Sequence, residues 1–164
     1  MLAESEKWHQ VSLRLAGDAL PCERVSELLG LPATSIHPKG AEYVPGHPRS
    51  ARYRTNHWGH SFTVDATVPF EEQLSEAVTR LEAVRERLFD VLSISGVDGS
   101  LFLGFASGNG QGGCTISADL TSRIGALRLD VVLDLYPPDV DERSAAPARP
   151  GPHESERPDL SPRK

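Results

Sequence analysis

The stretch LRLDVVLDLY (127–136) decides the fold class. Leu127, Leu129, Val131, Leu133 and Leu135 alternate with Arg128, Asp130, Val132, Asp134 and Tyr136, so a period of two places an apolar row opposite a mostly polar one. Such a strand is buried on one face only. That pattern predicts an antiparallel or mixed sheet covered by helices on a single side. VSLRL (11–15) repeats it, with Val11, Leu13 and Leu15 set against Ser12 and Arg14. LFLGF (101–105) supplies another strand, and Phe62 with Val64 a further one. Residues 52–57 read as a strand that pairs with the Phe62 strand across a turn near Gly59.

Helical spacing fills the intervals. Leu74, Val78, Leu81 and Leu88 recur on one side of residues 70–88, while Glu76 and Arg80 pair four apart on the outside. Pro69 suits the first turn of this helix, and Glu71 with Glu72 complements the positive end of its dipole. A shorter helix spans 21–29, opened by Pro21, stopped at Gly30 and blocked by Pro32. Ser117 caps a third, which buries Leu120 and Ile124 before Gly125 ends it. The order is strand, helix, two strands, helix, strand, helix, strand. This predicts an α+β two-layer sandwich with a mostly antiparallel sheet, ferredoxin-like over its first two thirds.

The 164 residues suit one domain, assigned to 1–140. From Asp141 onward five prolines and balanced charge surround Leu160 as the one large apolar side chain, which predicts a disordered tail over 141–164. A net charge of -6 weighs against general nucleic-acid binding, whose footprint is an excess of Lys and Arg. No apolar run approaches the roughly 20 residues of a spanning helix, and MLAESEKWHQ (1–10) lacks a signal-peptide core. The expected compartment is therefore the cytoplasm, with no membrane contact. Cys22 and Cys114 are expected there as reduced thiols.

GNGQGGCT (108–115) matches two phosphate-binding patterns and satisfies neither. Cys114 stands where a P-loop needs lysine. The acid about twenty residues on, Asp130, falls in mid-strand rather than at a strand's carboxyl end, and the glycines are separated from the helix that Ser117 starts. No cofactor is expected from this loop.

HPKGAEYVPGHPRSARYRTNHWGH (37–60) is chemically richer. It carries Lys39, Arg49, Arg52, Arg54 and four histidines, with Glu42 as its single acid, a basic island in an acidic protein. Guanidinium groups there suit a carboxylate or phosphate, with Trp58 or Tyr53 as a stacking surface. The bland alternative is a solvated hairpin whose charges block edge pairing. His57 and His60 lie three apart, which sends them to opposite faces of a strand, and no CxxC or HExxH completes a metal site. Cys22 sits in a first helical turn without a base assigned to it, and Asp130 with Asp134 reads as a wet sheet face rather than an acid/base pair.

SLRLAGDALPCERVSELLGLPAT (12–34), followed by Lys39-Gly40, Trp58, the long helix and a final LDVVLDLYP (129–137), resembles the bacterial family of unknown function numbered 4279 over roughly residues 9–137. The resemblance implies a small bacterial cytoplasmic α/β protein, brings no established activity or catalytic residues, and implies that Gly40 and Trp58 lie at positions the family uses repeatedly.

Two functional classes follow. The first is a binding module that meets a protein partner through the polar sheet face, with Arg14 and Asp134, and the basic hairpin, with Lys39, Gly40, Arg52, Arg54, His57 and Trp58. The second is a site for a small anionic ligand, or an enzyme, in which Lys39, Arg52 and Arg54 grip the ligand against Trp58.

Overall fold

Ten residues, Trp8–Gly17, form the middle strand β1, and the remaining elements are arranged around it. The computed structural model describes residues 8–65, 67–106 and 114–136. The glycine loop at 108–113 and the tail from Asp141 lie outside the described residues. After β1 come α1 (Cys22–Leu29), β2 (Ser35–His37), β3 (Asn56–Phe62), α2 (Phe70–Glu82), α3 (Arg85–Leu92), β4 (Val97–Ala106), α4 (Ala118–Ala126) and β5 (Asp130–Tyr136). The sheet order is β2-β3-β1-β4-β5, antiparallel except for the β4–β5 pair. Over its first four strands, this order is that of a ferredoxin-like split βαβ, with two helices, α2 and α3, in place of the second one. The α4–β5 unit then adds a parallel strand beside β4.

The alternation in β1 dictates the layering. Val11, Leu13 and Leu15 are fully buried under the helices, opposite Phe62, His60 and Trp58 of β3 and Leu103, Leu101 and Gly99 of β4. Leu74, Val78 and Leu81 of α2, Leu88 and Val91 of α3, and Val25 and Leu29 of α1 complete this core. Gly30 closes α1 in the left-handed conformation (φ 71°), its N–H donating to the Ser26 carbonyl, and Ser117 Oγ accepts from Leu120 N at the start of α4. The two ends read from sequence are therefore built by the expected chemistry.

Three expectations are corrected. No turn occurs at Gly59: residues 56–62 are one continuous strand, whose partner on the outer side is β2, a three-residue strand preceded by Pro32 and followed by Pro38. Residues 40–43 and 51–53 are tied to each other instead, through Gly40 N to Tyr53 O (2.8 Å) and Tyr43 N to Ala51 O (2.9 Å). The long helix is two helices, interrupted at Ala83 and Val84, where Val84 N bonds back to Leu81 O in a tightened turn. No glycine or proline marks that break. Finally, Leu127 and Leu129 are buried, but they precede β5, whose own helix-side residues Val131, Leu133 and Leu135 are 39, 57 and 67% exposed. β5 is an edge strand, and α4 turns into it at Leu127, so the helix layer covers the approach to the strand better than the strand itself.

Candidate functional site

The face of the sheet turned away from the helices is set by the residues that alternate with the core. Ser12, Arg14 and Ala16 of β1 stand on it, opposite Ser61, Gly59 and His57 on β3 and Phe102, Ser100 and Asp98 on β4. Asp130, Val132 and Asp134 continue it onto β5. Arg14 is the centre. Its neighbour Gly59 contributes no side chain, and a Cβ there would lie 2.6 Å from Ser35 Oγ, so glycine both opens space beside the guanidinium and admits the edge strand. On the other flank the Arg14 guanidinium lies over Phe102, its carbon 3.2 Å from the ring centroid.

Two hollows meet there. One, of about 340 Å³, is lined by Gln10, Arg14, Thr34, Ser35, His37, Tyr53, His57 and Ser61, among others. The second, of about 330 Å³, lies between Arg14, His57, Asp98, Ser100, Phe102, Asp130 and Val132. Arg14 and His57 border both, so a cation and an imidazole stand between a hydroxyl-rich half and an acidic half.

Hydrogen bonds fix the first half. Gln10 Nε2 donates to Ser12 Oγ (3.1 Å), the Ser12 and Ser61 hydroxyls share a bond of 3.0 Å, and Ser61 N donates to Thr34 Oγ1 (3.0 Å). Its far wall is aromatic. Tyr43, Tyr53 and His37 stack with centroids 4.1 and 4.4 Å apart, and His57 tilts against Tyr53 at 4.9 Å. Burial lowers the His57 pKa, and the nearby His37 and Arg14 charges lower it further. Burial raises that of Tyr53, as does Tyr43, while Arg14 opposes the rise. His57 is therefore a neutral imidazole at pH 7, and Arg14 is the charged group at this point of the face.

The residues singled out from sequence divide between the two sides. Arg14, His57 and Asp134 share the open face, Arg14 and His57 in contact with the same hollows. Lys39 Nζ is 3.0 Å from Asp18 Oδ1, in the turn after β1, and Arg52 bonds to Glu42 Oε1 (2.9 Å) and to the carbonyl of Gly40 (2.8 Å), so each cation has an acidic partner. Gly40 takes φ 86°, and Arg54 is exposed. Trp58 is on the helix side, 1% exposed, its indole N–H donating to Ser26 Oγ (3.1 Å), so the aromatic surface beside the site is Tyr53 and His37 rather than Trp58. His60 also faces the helices. Its Nδ1 lies 2.7 Å from Pro32 O, and its buried Nε2 has no hydrogen-bond partner among the described residues. Cys22 is buried at the start of α1, where its thiol donates to His57 O (3.4 Å) and burial pushes its pKa up, away from a reactive thiolate.

Phe102, Ser61 and Thr34 were not singled out in the sequence. Phe102 sits between Leu101 and Leu103 in an apolar run, and only the parity of β4 against β1 reveals that it faces outward.

The family model described as a domain of unknown function, DUF4279, matches residues 6–138. The chain belongs to this family. The matched residues of the DUF4279 domain run from the strand that carries Arg14 to the strand that carries Asp134, so the whole open face lies within it. No curated protein and no solved structure matches the chain. Among the described residues, no helix of the DUF4279 domain is long and apolar enough to cross a membrane.

Proposed function

We propose that this DUF4279 domain is a bacterial, cytoplasmic binding module that receives a protein partner on its open sheet face, with an acidic side chain of the partner entering beside Arg14. The observation that carries the reading is the meeting of two hollows at Arg14 and His57, on a sheet whose four helices among the described residues lie on the opposite side. A depression flanked by hydroxyls, stacked rings and one guanidinium favours a planar carboxylate, which an arginine grips through two parallel hydrogen bonds. The loop that carries Lys39, Arg52 and Arg54 reaches the same face through His37 and Tyr53, and its exposed Arg54 adds attraction for an acidic surface. A reducing compartment is supported by Cys22 and Cys114, which are both free thiols.

The test is partner capture from the native cytoplasm with the wild-type chain, Arg14→Glu, and Glu76→Lys on the helix layer as control. A protein retained by Glu76→Lys and lost by Arg14→Glu supports the reading. One retained by Arg14→Glu ends it.

A second reading is a small anionic ligand, favoured by the size of the first hollow, which falls within the range of small-molecule sites. The groups that would hold the anion are Arg14 and Ser61, with Tyr53 beside them, because these line the first hollow whereas Lys39 and Arg52 do not. A rise in melting temperature with phosphate, a nucleotide or a dicarboxylate, abolished in Arg14→Gln, is the expected result.

A further inference from the structure

The two edges of the sheet are protected unequally. β2, at one edge, is only three residues long and lies between Pro32 and Pro38, both of which limit pairing by a further strand. β5, at the other, is seven residues long and contains no lysine, arginine, proline or glycine. Among the described residues no strand lies beyond it. Its exposed side chains are apolar in a row on the helix side, Val131, Leu133 and Leu135, while Asp130 and Asp134 alternate with Val132 on the open side. Asp98 of β4 joins Asp130 and Val132 around the second hollow, so the open side of this edge is acidic as well as apolar.

We infer that β5 is a pairing edge for a strand of another protein in which apolar and basic residues alternate. Strand addition satisfies the outward N–H and C=O groups of β5 through main-chain bonds, and side-chain parity then sets the specificity. The added strand's apolar residues extend the row formed by Val131, Leu133 and Leu135. Its lysines or arginines fall on the open side beside Asp130, where opposite charges on neighbouring strands attract. Charge also selects against a second copy of this chain, because self-pairing with the apolar rows on a common side gathers the aspartates of both copies on one face. This inference concerns the outward edge of β5, whose acidic side borders the second hollow that Arg14 also lines.

Two seven-residue peptides test it on the full chain, one alternating lysine and valine, the other alternating glutamate and valine. Backbone amide shifts and hydrogen exchange across residues 130–136 are followed during titration at low salt. The lysine peptide is expected to perturb and protect these amides, and to bind at least about tenfold more tightly than the glutamate peptide. In Asp98→Lys/Asp130→Lys the preference reverses, and Glu76→Lys on the helix layer leaves it unchanged. Three results overturn the inference: equal or absent binding of both peptides, edge amides already protected in the free monomer, or protection that appears with sedimentation as a dimer and is lost in Leu133→Glu.

Discussion

The guanidinium of Arg14 and the ring of Phe102 are stacked across the β1–β4 junction, 3.2 Å from carbon to centroid, although the two residues are not directly opposite in the strand register. Phe102 is opposite Ser12, and Arg14 is opposite Ser100, so the contact is a diagonal one, within reach of a long side chain. It holds the charge at the wall between the two hollows. A double-mutant cycle of Arg14→Gln and Phe102→Leu is expected to give a coupling of about 0.5–1 kcal/mol in urea unfolding, and the cycle separates this pair from the other contacts of Arg14. A coupling of zero would mean that the stack does not position the guanidinium.

His57 makes the stability of the fold depend on pH near neutrality. Burial, with the nearby His37 and Arg14 charges, depresses its pKa below the usual value near 6.5, so the folded state binds fewer protons than the unfolded one in that window. The contribution is fully present above about pH 6.5 and declines as pH falls through the folded-state pKa. Wild type is therefore expected to lose stability between pH 7 and 5 relative to His57→Gln, with a slope below about 1.4 kcal/mol per pH unit, the limit for one proton. Parallel denaturation curves for the two proteins across this range would contradict the assignment.

Arg123 joins the helices α2 and α4 through two bonds to Glu82, at 2.9 and 2.7 Å, and through the hydroxyls of Ser75 (3.1 Å) and Thr79 (2.8 Å). The hydrogen bond from Arg123 lowers the Glu82 pKa. The side chains are 26 and 37% exposed, so water screens the pair, but its forked geometry places it at the stronger end for surface ion pairs. Arg123→Ala should cost about 1 kcal/mol at pH 7. Because a lowered carboxylate pKa contributes stability above the unfolded value near 4.3 and loses it as pH falls through the folded value, the deficit should shrink in acid. Urea midpoints of both proteins at pH 7 and pH 3 measure the difference.

The parts legible in sequence were those governed by local periodicity and by the chemistry of chain ends. The β1 alternation, the Gly30 stop and the Ser117 cap each depend on a few neighbouring residues, and together they fixed a sheet with helices on one side. The errors arose where tertiary partners decide. SIH (35–37) is too short to show a period, and becomes β2 because β3 is beside it. Gly59 resembles a turn residue, yet it is a point of close approach to Ser35. The Leu133 row was read as buried because alternation reports which residues share a side, and does not report whether anything covers that side. The same limit explains the site: Arg14 was found by parity, whereas Phe102 and Ser61 became visible only when the register placed them beside it.

The two cysteines offer a check on the junction between helix and sheet beneath the site. Cys114 is exposed, whereas Cys22 is buried with its thiol against the His57 carbonyl, so one thiol should react at once and the other only when α1 opens from β3. In Cys114→Ser, a disulfide reagent at pH 8 should modify Cys22 at least about a hundredfold more slowly than in the urea-unfolded chain, since both burial and a raised pKa withhold the thiolate. If labelling proceeds at the free-thiol rate, the start of α1 is open in solution.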